Sequence, residues 1–178
     1  MILGNKLERI PENQVVTLGF GMCWKPGGKG EDSSPIYTLQ LSNKTTTAMF
    51  RISQWNHSIP KELSDLLSSK KVRFVTLGKR DFLKLKEDYE IEIQQFKLDD
   101  FHIVQRCKPN NLQGLSAFFL RVFYQKDVKY INWNRKTLSE LETQNICLDA
   151  WIIMALYEKI LEIDSHYDKT TGILDLKK

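Results

Sequence analysis

Several things are scarce or missing in this 178-residue chain, and each absence closes off a class of function. Cysteine is rare: Cys23, Cys107 and Cys147 lie far apart with no C-x-x-C pair, and His57, His102 and His166 form no ligand pattern with them. That argues against a zinc site and predicts a reducing, intracellular setting, nuclear or cytoplasmic. No apolar run reaches spanning length and the N-terminus has no signal-peptide h-region, so no membrane partner is expected. Internal repeats are absent. Charge of one sign is weak, with 26 Lys and Arg against 22 Asp and Glu for a formal net charge of +4. A balance this mild permits nucleic-acid binding without arguing for it. The last absence is local: no acidic residue occurs between Glu12 and Glu31.

What is present is an ordinary globular composition, 42% apolar and 11% aromatic, at a length suited to one domain with a proper core. The chain divides into a polar lead-in (1–13), a domain (14–163) and a lysine-bearing tail (164–178), as a whole protein or a piece of a longer one. Val15–Phe20 is a short continuous apolar run, as in a strand buried on both faces. A Gly-rich loop follows from Pro26. Ile36–Leu41 and Thr47–Ile52 alternate at period two and predict a meander of three antiparallel strands with the first. The pattern then turns helical, with Ser58 as cap, an early Pro60 and leucines over 63–67. Val72–Leu77 reads as a strand, Lys79–Glu87 as a helix, Ile91–Leu98 as a strand and Leu112–Val122 as a helix. The longest periodic segment is Leu138–Ile163. These elements predict an α/β domain with a mixed sheet.

Three segments carry more than periodicity. The first is Gly19-Phe20-Gly21-Met22-Cys23-Trp24-Lys25-Pro26, at the end of the first apolar run. The second is Val72–Leu77 followed by Gly78-Lys79-Arg80-Asp81, a strand, a Gly and an Asp opening a helix. The third runs from Trp133 through Arg135, Leu138, Gln144 and Asn145 to Asp149-Ala150-Trp151. Together they resemble the three motifs of the DEDD 3′-5′ exonucleases, the ribonuclease D and Werner-type family, over roughly residues 14–162. The resemblance implies a ribonuclease-H-like fold: a mixed β-sheet flanked by helices, as a single domain.

In that family the first motif carries an Asp and a Glu, the second an Asp, and the third a Tyr four residues before an Asp. Here Gly21 and Cys23 replace the first pair and Asn145 replaces the Tyr, while Asp81 and Asp149 are kept. The family chemistry uses two divalent cations to cleave a phosphodiester. Mg²⁺ wants oxygen ligands in near-octahedral geometry. Gly21 offers no donor, and the sulfur of Cys23 suits softer metals. Asn145 and Asp149 share a helix face, but an amide cannot act as a phenol would. The expectation is therefore a pseudo-exonuclease with no cofactor, Mg²⁺ or Mn²⁺ mattering only for residual activity at Asp81 and Asp149. A weakly active enzyme would need a further acid, with Asp99 or Asp100 as candidate. The plainer reading of Asp81 is helix capping, and of Asp149 a structural role within the buried face of its helix.

Without cleavage, two functions remain. Degenerate domains of this family resemble adaptors, including ones in small-RNA silencing complexes, so a protein partner in a larger complex is the leading expectation. Phe118, Phe119, Phe123 and Tyr124 are more aromatics than one amphipathic face needs, and some are candidates for a contact patch. A homo-oligomer is a further option. The alternative is a single-stranded RNA-binding module. Lys79, Arg80 and Lys84 could neutralise phosphates, and Trp24 or Phe82 could stack on bases. Against that, the lysines suit the solvated face of a helix, acids follow from Glu87, and Trp24 suits packing.

Overall fold

The computed structural model describes residues 11, 14–28, 32–123, 131–133, 135–165, 167–168 and 173–174. The first apolar run stays extended past the expected end, so β1 spans Val16–Cys23 and positions 21 and 23 lie within the strand. β2 (Thr38–Ser42) and β3 (Thr47–Phe50) complete the antiparallel meander. Asn43 shapes the turn between them, its side-chain oxygen accepting from the Thr45 and Thr46 N–H groups at 2.9 and 2.8 Å. β4 (Val72–Thr76) then lies parallel to β1, and β5 (Gln95–Lys97) parallel to β4. The five strands stand in the order β3-β2-β1-β4-β5, the expected mixed sheet.

Helices cover both faces. α1 (Lys61–Leu67) and α2 (Arg80–Tyr89) pack Leu63, Leu66, Leu67, Phe82 and Leu85 against Phe20, Leu39 and Phe74 on one side. α3 (His102–Gln105) and α4 (Leu112–Leu115) follow β5. α5 (Glu140–Ser165) lies across the other face, where Ile152, Leu156 and Ile160 meet Val75, Leu98 and Leu115. A two-residue ribbon, Tyr167–Asp168 with Ile173–Leu174, lies within the segment expected as a tail. Among the described residues no helix is long and apolar enough to cross a membrane.

Local chemistry moves several boundaries. Ser58 does not cap α1; its hydroxyl returns to the Trp55 carbonyl at 2.6 Å, and the helix opens after Pro60. The strand expected over Ile91–Leu98 shrinks to three residues. The helix expected over Leu112–Val122 is one α turn and a π turn (Ser116–Leu120), ended by Arg121 at a left-handed φ of 58°. α5 starts at Glu140 because Ser139 and Glu142 form a capping box. The Ser139 N–H and hydroxyl both donate to the Glu142 carboxylate at 2.8 Å, and the Glu142 N–H donates back to Ser139 Oγ at 3.2 Å. Arg135 pairs with the same carboxylate.

α5 also lies very close to β1. A Cβ on Gly19 would stand 2.2 Å from the Ala150 carbonyl oxygen and 3.0 Å from Met154 Cβ, so only glycine admits the helix here. Gly19→Ala is expected to cost about 3 kcal/mol or to abolish folding, as forced overpacking does. Gly78 serves as the control, since a Cβ added there would meet nothing within 4 Å. Gly78→Ala should stay within about 1 kcal/mol in denaturant melts.

The capping box predicts a pH signature. Hydrogen bonds from the Ser139 backbone and hydroxyl, with Arg135 adding to them, hold the Glu142 carboxyl below its ordinary value. A carboxylate depressed in the folded state stabilises above its unfolded pKa, and the contribution disappears as pH falls through the folded one. The difference in Tm between the natural chain and Glu142→Gln should thus be flat near neutrality and close below the ordinary carboxylate range. A difference that persists down to about pH 2 contradicts this.

Candidate functional site

The parallel strands β1 and β4 end on the same edge, where open α/β sheets place their ligand sites. A cleft of about 350 Å³ lies there, lined by Gly21 and Met22 from β1, Thr76 at the end of β4 with Leu77 and Gly78 after it, Arg80 and Asp81 from α2, Leu112 from α4, and Asp149 and Ile153 from α5. The fold thus brings Gly21, Asp81 and Asp149 together. These positions are far apart in the chain and come from all three sequence motifs.

Each predicted residue has a specific place. Asp81 is in the first turn of α2, and its carboxylate accepts the Trp24 indole N–H at 3.1 Å. Trp24 packs against the α1/α2 core, with Lys84 Nζ 5.5 Å from its ring centroid. Lys84 differs from the expectation of a phosphate-binding or solvated lysine. Its side chain is 6% exposed and ion-paired with Asp88 at 2.8 Å, and its ammonium donates to Ser33 Oγ at 2.6 Å. Phe82 is also core, packed on Phe20 at 5.4 Å, and is not placed to stack on a base. Lys79 and Arg80 are exposed. Arg80 stands at the cleft, whereas Lys79 lines a separate groove with Lys86 and Lys97 beside β5.

Asn145 is half-buried on α5, one turn before the buried Asp149. Cys23 is buried with Ile131 and Ile146. Burial, and then the neighbouring Cys23, push the Cys147 thiol up, which disfavours a thiolate there. Asp100 pairs with Lys97 at 3.3 Å and does not line the cleft, and the Asp99 side chain lies outside the described residues. Among the described residues no group of three or more His, Cys, Asp or Glu side chains comes together to hold a metal. Two carboxylates on separate elements, one of them engaged by an indole, do not fit a pair of hard cations.

Three residues that shape the site carried no signal that the motif reading used. Arg51 anchors the lead-in to α5, donating to the carbonyls of Lys136 and Arg135 at 2.7 Å and of Trp133 at 3.2 Å. Tyr37 stacks on Trp133 at 5.0 Å. Gln40, fully buried on β2, lies across from Gly21 in the ladder. Period-two alternation over 36–41 put Gln40 on the polar face of a strand, but nothing local said that this face is covered by a helix.

The Trp24–Asp81 bond gives a testable role to the retained acid. Asp81→Ala leaves a half-buried indole N–H without its acceptor and is expected to cost about 1–2 kcal/mol in denaturant melts. Trp24→Phe in the Asp81→Ala background should add less than it does alone, the coupling expected of direct partners.

No family model matches the chain. It is 29% identical over 148 residues to exonuclease 3′-5′ domain-containing protein 2 of Drosophila melanogaster, a match covering 80% of this chain and 25% of that protein. The chain thus spans about a quarter of that relative's length. Among solved structures it is similar to Brucella melitensis NrnC, with a TM-score of 0.69 at 14% identity over 92% of this chain and 82% of that one. It is also similar to the Aedes aegypti Nibbler EXO domain, with a TM-score of 0.65 at 17% identity over 84% of this chain and 79% of that one. The fold is the ribonuclease-H-like one of 3′-5′ exonucleases, as the three motifs implied.

Proposed function

We propose that this chain is a 3′-5′ exonuclease-like domain that does not hydrolyse phosphodiesters and works as a protein-interaction adaptor in RNA or small-RNA metabolism. The observation that carries the first half is the floor of the cleft. Near the end of β1, Gly21 brings no side chain toward Asp149, and Cys23 is turned into an apolar cluster with Ile131 and Ile146. Stabilising charge in the transition state is most of what two cations would supply to this reaction. A donor set of two carboxylates leaves little of it.

The adaptor half draws on the surface. Phe118 is 61% exposed and Phe123 is 87% exposed, the latter next to the end of the π turn, whereas Phe119 between them is core. Two large apolar side chains held out beside one rigid turn suit a protein contact better than solvent. Tyr124 lies outside the described residues. A second reading, single-stranded RNA binding without cleavage, is favoured by Arg80, the exposed cation at the edge of the cleft.

The test is a 3′-labelled single-stranded RNA incubated with Mg²⁺ and then Mn²⁺, beside a binding titration of the same RNA. No shortening is expected with either cation. Shortening that Asp149→Ala removes overturns the non-hydrolytic reading. Binding that weakens steeply with salt and with Arg80→Ala moves the function to RNA recognition. Absence of binding supports the adaptor.

A further inference from the structure

The sheet ends at β5, and among the described residues no strand pairs with its outer edge. Side chains alternate along this strand. Phe96 turns into the core beneath α5, while Gln95 and Lys97 turn to the side that α2 covers. Between α2 and this edge runs a groove of about 350 Å³, and no residue lines both it and the cleft at Asp149. Its floor is aliphatic: Ile91 and Ile93, packed on the first core, and Leu83, which is 45% exposed. Lys79 and Lys86 stand one turn to either side of Leu83 on the same face of α2, and Lys97 joins them from β5.

An open strand edge beside an apolar floor suits an extended peptide. The edge pairs with the peptide backbone, and every second side chain enters the groove. Charge decides which peptide. The lining holds three lysines against a single acid, Glu92. Lys86 pairs with Glu92 at 2.5 Å and Lys97 with Asp100 at 3.3 Å, but both acids are largely exposed, and pairs of this kind exchange partners at little cost. We infer that the groove docks an extended segment of a partner protein, added as a strand to β5, with a leucine-sized anchor between acidic residues. A nucleic acid matches less well, because the aromatic ring in the lining, Phe82, is buried and offers no face to a base. The inference rests on the adaptor reading and adds to it where a partner segment docks and what chemistry it carries.

The probe is a fluorescein-labelled peptide in which glutamate, leucine and glutamate alternate with threonine; a twin with lysine for glutamate is the control. Anisotropy should show saturable binding of the acidic peptide, with its lysine twin bound about tenfold more weakly or not at all. Leu83→Ser should weaken binding about tenfold. Lys79→Glu with Lys86→Glu should abolish it and make the lysine twin the better ligand. These three side chains are exposed, so circular dichroism should show both variants folded. In the natural chain, the amide resonances of Gln95, Phe96 and Lys97 should shift on binding and exchange more slowly with solvent. No binding of the acidic peptide, equal binding of its twin, or shifts that spare β5 overturns the inference, whether or not a variant folds. Oligouridylate that displaces the peptide assigns the groove to nucleic acid and overturns it as well. Shortening of RNA by the natural chain overturns the non-hydrolytic reading alone, since the groove is judged by peptide binding.

Discussion

The rest of this structure depends on how closely α5 approaches β1. The Ala150 carbonyl occupies the space above Gly19, so the helix can settle at this height only because position 19 has no side chain. That contact fixes more than packing. Asp149 precedes Ala150, and Gly21 is two residues beyond Gly19 on the same face of the strand, so the helix height sets where the acid stands over the strand. Both ends of α5 then follow. Its start is held by the Ser139–Glu142 box and by Arg51, and its apolar side from Ile152 to Ile160 closes the second core.

A helix this close to a sheet would ordinarily meet an apolar face. Here it also covers Thr38, Gln40 and Ser42, three fully buried polar side chains on β2. Ser42 bonds Thr47 at 2.8 Å and Gln40 bonds Thr38, so most of this strip is satisfied from inside the sheet. Gln40 Oε1 is the exception. A polar strip beneath a helix is hard to explain by stability, since apolar residues would fill the same volume without desolvation cost.

How far the sequence disclosed this can be judged residue by residue. The mixed sheet followed from period-two runs and three motif frames, because burial on a defined face forces periodicity into the sequence. The cleft was legible as a set of positions, since Gly21, Asp81 and Asp149 do converge. Individual side-chain fates were not. Lys84 and Phe82 sit on a helix whose pattern did not say which lysine would be drawn inward, and the pull comes from Asp88 and Ser33, the second of them in a distant loop. The capping box at Ser139 was there as S-x-x-E, but apolar periodicity began the segment one residue earlier, at Leu138. The burial of Gln40 could not be read, because it depends on the helix that covers its face of the sheet.

The retained acids show why motif counting alone misleads. Asp81 accepts the Trp24 indole and belongs to α2's first turn, where a negative charge is favoured by the helix dipole. Those interactions keep an Asp at this position whether or not a cation ever visits. Two of four acids surviving is therefore not half an active site. With Gly21 at the cleft and Cys23 in an apolar cluster, the cleft has less negative charge to repel a phosphate than a site of four acids without cations would have. Arg80 at its edge tilts it the same way. The loss that ends hydrolysis in this proposal also makes the empty cleft more tolerant of an anionic strand, so binding and cutting are separable properties of one set of positions.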